Sequence, residues 1–177
     1  VIRGNLPLPP DVRFFYPYIS LDDCAVFCRR ILETLHELDP DIRPREVRAA
    51  AEKAYAALEE HRAAIRAEGK RAIRYAREKG LRTIILAGRP YHADPLINHG
   101  IDNLIASLGF VILSEDALEP LPEYHKLGVL NQWTYHARMY NAARTCFTLP
   151  DTELVQLVSF GCGIDAITTD EVMAILE

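Results

Sequence analysis

"RTIILAGRPYHADPLINHGIDNLIASLGFVILSED", residues 82–116, decides the fold. Its opening RTIILAG is a short apolar run rich in β-branched residues and of strand length. DPLINHGIDNLIASLG then offers Asp94 as a cap, Pro95 in a first turn and Gly109 as a close, which predicts one helix. FVILSED reads as the next strand. Strand, helix, strand in that order is a βαβ unit with parallel strands. Further on, LNQWTYHARMYNAAR (130–144) predicts a helix starting near Asn131, and ELVQLVSFG (153–161) a third strand. TTDEVMAILE (168–177) predicts a last helix with a capping box from Thr168 to Glu171. The expected fold is α/β, an open parallel Rossmann-like sheet over residues 81–177, covered on both faces and too short for a barrel.

Upstream the pattern differs. Pro7, Pro9, Pro10 and Pro17 deny residues 1–19 a continuous helix or a central strand and predict an extended arm. Ser20 is the expected N-cap of a helix carrying Val26, Phe27, Ile31, Leu32 and Leu35, ending near Asp39-Pro40. Pro44 suits a first turn, and residues 45–80 predict a long helix with Val47, Ala51, Ala54, Leu58, Ile65 and Ile73 on one side. Gly69 is expected to weaken that helix and Gly80 to cap it. Arg62, Arg66, Lys70, Arg74 and Arg77, interleaved with Glu59, Glu60, Glu68 and Glu78, read as a solvated face. Two regions result: residues 1–80, an arm and helical extension, and residues 81–177, the sheet domain, expected to form one structural unit.

Composition narrows the function. The 177 residues are 49% hydrophobic and 25% charged, with mean hydropathy near zero, which is ordinary globular usage. No apolar run approaches the ~20 residues of a membrane helix, and the first residues lack the basic and apolar pattern of a secretory signal. A net charge of −5 argues against nucleic acid as a partner. Four cysteines, Cys24, Cys28, Cys146 and Cys162, without framework spacing, suit a reducing compartment, and the expected location is cytoplasmic. A start on Val and an end in mid-helix pattern suggest a piece excised from a longer polypeptide.

Open parallel sheets bind ligands beyond the carboxyl ends of their strands. There the chain places Gly88, Arg89, Tyr91, His92 and Asp94, then Ser114, Glu115 and Asp116, then Ser159, Gly161, Cys162 and Gly163. The helix near Asn131 brings Gln132, Trp133, Tyr135 and His136 to the same edge. Gly88, Asp94, Asn98 and Thr168 also have a purely structural reading as turns and caps. His92 and His99 lack the spacing that puts two metal ligands on one helix face. GRP resembles no phosphate loop. Cys24 and Cys28 share a helix face, which permits metal ligation but also simple packing. Cys146 belongs at the amino edge of the sheet and Cys162 at the carboxyl edge, about 20 Å away at ~3.3 Å per strand residue, so the two should neither bridge nor share a cluster. Glycines around Cys162 free its backbone to present the sulfur as a ligand or nucleophile. One thiolate cannot hold a cluster that takes about four.

LAGRPYHADPLINHGI, LNQWTYHARMYNAA and LVQLVSFGCGIDAITTDEV together resemble segments of very large fused proteins of the CoA-substrate-specific enzyme activase and 2-hydroxyacyl-CoA dehydratase group, including 2-hydroxyglutaryl-CoA dehydratase activator-related proteins. The likeness covers residues 81–177, with a weaker match in FFYPYISLDD and the long helix. Val158 and Glu171 stand where Asn and Gln would be expected, and Cys24, Cys28 and Cys146 match nothing in the pattern.

The resemblance implies a dehydratase-like segment, not the ATPase, of a system that injects low-potential electrons toward a CoA thioester. It implies a 4Fe-4S cluster in the parent protein, with Cys162 as metal ligand and the other ligands outside this chain. Arg89, Tyr91, His92, His136, Ser159, Gly161 and Gly163 then become neighbours of the cluster or of substrate, with catalytic residues left unassigned. The implied partners are other domains of the same polypeptide, ATPase and further dehydratase-like segments; no nucleic acid and no membrane are expected, and a homodimer stays open. The isolated chain is expected to hold no cofactor and to show no turnover. Two other readings remain: a non-catalytic docking module between ATPase and acceptor, and a metal-free domain binding a small molecule at Arg89, His92 and His136.

Overall fold

The computed structural model describes residues 2–122, 127–159 and 161–177, residues 2 and 3 by backbone alone. Two compact units divide it, Val1–Glu60 and His61–Glu177, so the packing boundary falls inside the long helix rather than at residue 80.

The first unit holds α1 (Ile2–Asn5), α2 (Cys24–Leu35) and the start of α3 (Pro44–Lys79). The arm is therefore not wholly extended, because its first residues close one helical turn ahead of the prolines. Asp23, not Ser20, caps α2: its Oδ1 accepts from the N–H groups of Ala25 and Val26 at 2.8 and 2.9 Å, the orphan donors a cap must satisfy. Ser20 instead accepts from the Asp22 N–H at 3.3 Å. The helix stops at Leu35, short of Asp39-Pro40, and the His36 ring turns back to donate to the Ile42 carbonyl at 2.8 Å. Phe27 meets Tyr55 edge to face at 6.0 Å, and the Tyr55 hydroxyl donates to the Leu21 carbonyl at 2.8 Å. Of the expected apolar side of α3, Val47 and Ala51 are buried while Ala54 and Leu58 are exposed.

The second unit is an α/β domain around three parallel strands, β1 (Thr83–Ala87), β2 (Val111–Ser114) and β3 (Thr152–Gln156), in the order β2-β1-β3. Ile85 sits opposite Leu113 on one side and Leu154 on the other. Thr83, Ile84, Ile85 and Ala87 are all buried, so both faces of the central strand are covered. The strands are linked and flanked by α4 (Pro95–Asn98), α5 (Ile101–Ser107), α6 (Thr134–Cys146) and α7 (Gly163–Leu176). The core joins Ile85, Leu113, Met139, Tyr140, Val172 and Ile175.

Three helix boundaries differ from expectation. The helix after Asp94 is broken in two, because His99 and Gly100 adopt left-handed backbone at φ 54° and 77°. α6 begins at Thr134 rather than near Asn131. Thr168 caps nothing: α7 already begins after Cys162, and Thr168, 1% exposed, lies inside it with its hydroxyl donating to the Ile164 carbonyl at 2.9 Å. Glu171 Oε1 accepts the Gly128 N–H at 2.8 Å, a role the amide oxygen of Gln would also fill. Among the described residues no helix is long and apolar enough to cross a membrane.

Gly69 does not break α3, which is continuous over 36 residues and closed by Gly80 at φ 63°. It lets the helix press on the backbone: a Cβ there would lie 2.2 Å from the Ala117 carbonyl oxygen. Helix propensity alone favours Ala over Gly by ~1 kcal/mol. The clash with a fixed carbonyl outweighs that, and Gly69→Ala should lower stability by about 2 kcal/mol, measured by urea unfolding. Equal or higher stability would refute the close approach. The basic stripe is solvated at Lys70, Arg74 and Arg77, with Lys70 Nζ meeting the exposed Glu119 at 2.6 Å, while Arg62 and Arg66 are half-buried.

Candidate functional site

Because β3 pairs directly with β1, the loops leaving their carboxyl ends are neighbours. β1 runs into Gly88 and Arg89 and then a 3-10 turn, Pro90–Ala93. β3 runs into residues 157–162 and α7. These two loops build the site.

Cys162 is the N-cap residue of α7. Its side chain makes no cap hydrogen bond, though the backbone N–H groups of Asp165 and Ile164 face it, and Arg89 Nη2 approaches its sulfur at 3.0 Å. The Asp165 N–H contributes most to holding the thiol below its ordinary value; burial opposes, while Ile164 and Arg89 add to the lowering. A helix N-terminus and a guanidinium are the usual means of favouring a thiolate.

Asp165 holds Arg89 in place. Its Oδ1 accepts from Arg89 Nη2 and Nε at 2.6 and 3.2 Å, and its Oδ2 from the Ser159 N–H at 2.7 Å. Its carboxylate is 4% exposed; burial pushes its pKa up, but the Ser159 N–H and Arg89 outweigh that and leave it below the usual value. One carboxylate thus ties the β1 loop to the turn before Cys162. Tyr91 and Ser159 share a short hydroxyl–hydroxyl hydrogen bond between the same two loops.

The donors at the end of β1 are already engaged. His92 Nδ1 accepts the Arg89 N–H at 3.1 Å, so the ring is neutral there, and burial lowers its pKa. A Cβ on Gly88 would lie 2.6 Å from that nitrogen, so any other residue there would displace the His92 ring. Glu115, just past β2, is buried; desolvation raises its pKa, against the weaker favouring influence of its own amide and that of Gly88 nearby.

His136 comes from α6. It is 8% exposed, its ring rests on Trp133 at 5.1 Å, and among the described residues neither ring nitrogen has a hydrogen-bond partner. Burial lowers its pKa first, then the charge of Arg89, against Asp165, so both charges act on the ring. A buried neutral imidazole with two open nitrogens is costly unless something meets it.

Arg89, Tyr91, His92, Ser159 and Cys162 are thus brought together, with His136 in electrostatic reach. Gly161 is needed for its backbone, at φ 75°, but a Cβ on Gly161 or Gly163 would meet nothing within 4 Å. Asp94 and Asn98 serve their turns: Asp94 caps α4 through the Leu96 N–H, and Asn98 accepts from Gly100, each at 2.8 Å. His99 lies in the break between α4 and α5, apart from these contacts. The residue missed from sequence is Asp165; Glu115 was expected at this edge but given no role. An acid in the first turn of a helix was the available signal for Asp165, hidden because that helix was expected to begin later.

A 4Fe-4S cluster takes about four cysteine ligands. This edge offers Cys162 alone, and among the described residues no group of three His, Cys, Asp or Glu side chains could hold a metal. The donor set fits one ligand position, with a hydrogen-bond donor beside it. Cys146, at the end of α6, is free and donates to the Ala142 carbonyl at 3.5 Å.

Arg89→Met removes one of the groups favouring the thiolate. The alkylation rate of Cys162 at neutral pH should fall about threefold, less than the tenfold of one pKa unit, and its pH profile should move toward 9.0, the ordinary thiol value. Peptide mass spectrometry after iodoacetamide reads this, and an unshifted profile would show Arg89 to be irrelevant to the sulfur.

Fold and edge define an open parallel α/β domain with a cysteine heading a helix at its carboxyl side. The chain belongs to the family described as CoA enzyme activase uncharacterised domain, which matches residues 1–118. The match takes in the helical extension, β1, the Arg89 loop and β2, and ends before α6 and Cys162. No curated protein and no solved structure matches the chain.

Proposed function

We propose that the chain is a dehydratase-like segment of an ATP-driven activase and reductase system that delivers low-potential electrons toward CoA-thioester substrates. In this reading Cys162 gives one thiolate to a 4Fe-4S site whose other ligands lie in further domains of the same polypeptide. Such thiolate chemistry suits the reducing cytoplasm. The observation that supports it most is the approach of Arg89 Nη2 to Cys162 Sγ at 3.0 Å, on a sulfur already favoured as thiolate.

When bound, the cluster supplies one-electron chemistry at a potential set by charge and hydrogen bonds to its sulfurs. The residues of this chain have narrower tasks. Arg89 donates to the ligating sulfur, as neighbours of metal ligands commonly do. Asp165 keeps that guanidinium aligned and anchors the loop that carries the cysteine. Neutral His136, with open nitrogens, offers a hydrogen bond to a thioester carbonyl.

The test is anaerobic reconstitution of the parent polypeptide with iron and sulfide. Cys162→Ala should lose iron and the visible thiolate-to-iron absorption, while Cys146→Ala should keep both. Unchanged iron content in Cys162→Ala would sink the proposal.

A further inference from the structure

The first unit holds a pair of sulfurs of its own. Cys24 and Cys28 stand one turn apart on α2 with their Sγ atoms 3.9 Å from each other. Both are partly buried and neither is in a disulfide. A direct bond between them is geometrically disfavoured: side chains four apart on a helix hold their Cβ atoms roughly 5–6 Å from each other, whereas a disulfide wants about 3.5–4.5 Å. One interposed atom closes the gap. With zinc–sulfur bonds of about 2.3 Å, a tetrahedral angle sets two sulfurs about 3.8 Å apart. The observed separation is 3.9 Å.

We infer that Cys24 and Cys28 form a two-thiolate site for a single thiophilic divalent cation of the zinc and cadmium class. Among the described residues no third His, Cys, Asp or Glu completes a cluster with them, so the remaining positions fall to water. Access exists on the Cys28 side, through a cleft of about 480 Å³ lined by Cys28, Arg29, Leu32, Pro44, Arg45 and Arg48. Burial, then the hydrogen bond and charge of Cys28, then Glu52, disfavour the Cys24 thiolate, while Arg48 favours it. Binding breaks two S–H bonds, forms two sulfur–metal bonds and releases two protons, with no change of oxidation state.

Cadmium is the probe, titrated anaerobically into the whole 177-residue chain with Cys146 and Cys162 replaced by Ser. One equivalent should bind, with a thiolate-to-cadmium band in the ultraviolet and two protons released. Adding Cys28→Ser should abolish the two-thiolate band. Combining Cys28→Ser with Arg29→Cys keeps two thiols on the helix but turns one off the shared face, and should abolish it too. Circular dichroism checks that each variant retains its helices. Absence of the band in the parent, or its persistence in the shifted variant, overturns the inference. Neither outcome touches the role proposed for Cys162.

Discussion

Asp165→Ala should destabilise the sheet unit by about 3 kcal/mol, the low end of the cost of breaking a buried ion pair, because Arg89 keeps some water. The side chains of Asp165 and Arg89 are 5% and 24% exposed. The substitution leaves the guanidinium without its partner and the Ser159 N–H without its acceptor. Asp165→Asn, which keeps one acceptor oxygen, should lose less. The acid dependence has a definite sign. The folded carboxyl lies below its ordinary 3.8, so its stabilisation is complete above that value and is lost as pH falls through the lower folded value. Urea unfolding at neutral pH and in the acid range reads both effects. The gap between Asp165→Asn and the unaltered protein should narrow in acid; a gap that stays constant would remove the charge from the account.

Ile85→Ala should cost about 4 kcal/mol, in the upper part of the range for emptying a buried aliphatic site. Ile85 is 0% exposed at the centre of the middle strand, paired to β2 and β3 and packed in the core with Met139 and Val172, so little can collapse into the space. Ile85→Val should cost about 1 kcal/mol. Thermal unfolding of the sheet unit measures both. A loss under 1 kcal/mol for Ile85→Ala would mean that the core rearranges around the gap.

The strands and their parallel direction were legible because the causes are local. TIILA and VILS are apolar runs of strand length separated by a capped, glycine-closed segment, and parallel pairing follows from that spacing. The errors arose where two residues compete for one role. Ser20 and Asp23 both look like caps, and only the chain's path into α2 selects Asp23. Thr168 with Glu171 imitates a helix start inside a helix that began five residues earlier, at Gly163. The meeting of the Arg89 and Cys162 loops could be inferred from their common edge. That a single aspartate would tie them could not, because a contact between residues 76 apart leaves no local pattern.

The engagement of His92 and Glu115 bears on what this edge can recognise. In many doubly wound domains the amides just past the first strand form an anion nest that accepts any phosphate of suitable size. Here the chain's own side chains crowd that nest: His92 Nδ1 takes the Arg89 amide, and the Glu115 carboxylate lies near enough to the Gly88 amide to be favoured by it. An incoming molecule must therefore be read by side-chain chemistry. Recognition of that kind is selective and brittle, since a single substitution can erase it, whereas a backbone nest tolerates changes in the residues that form it.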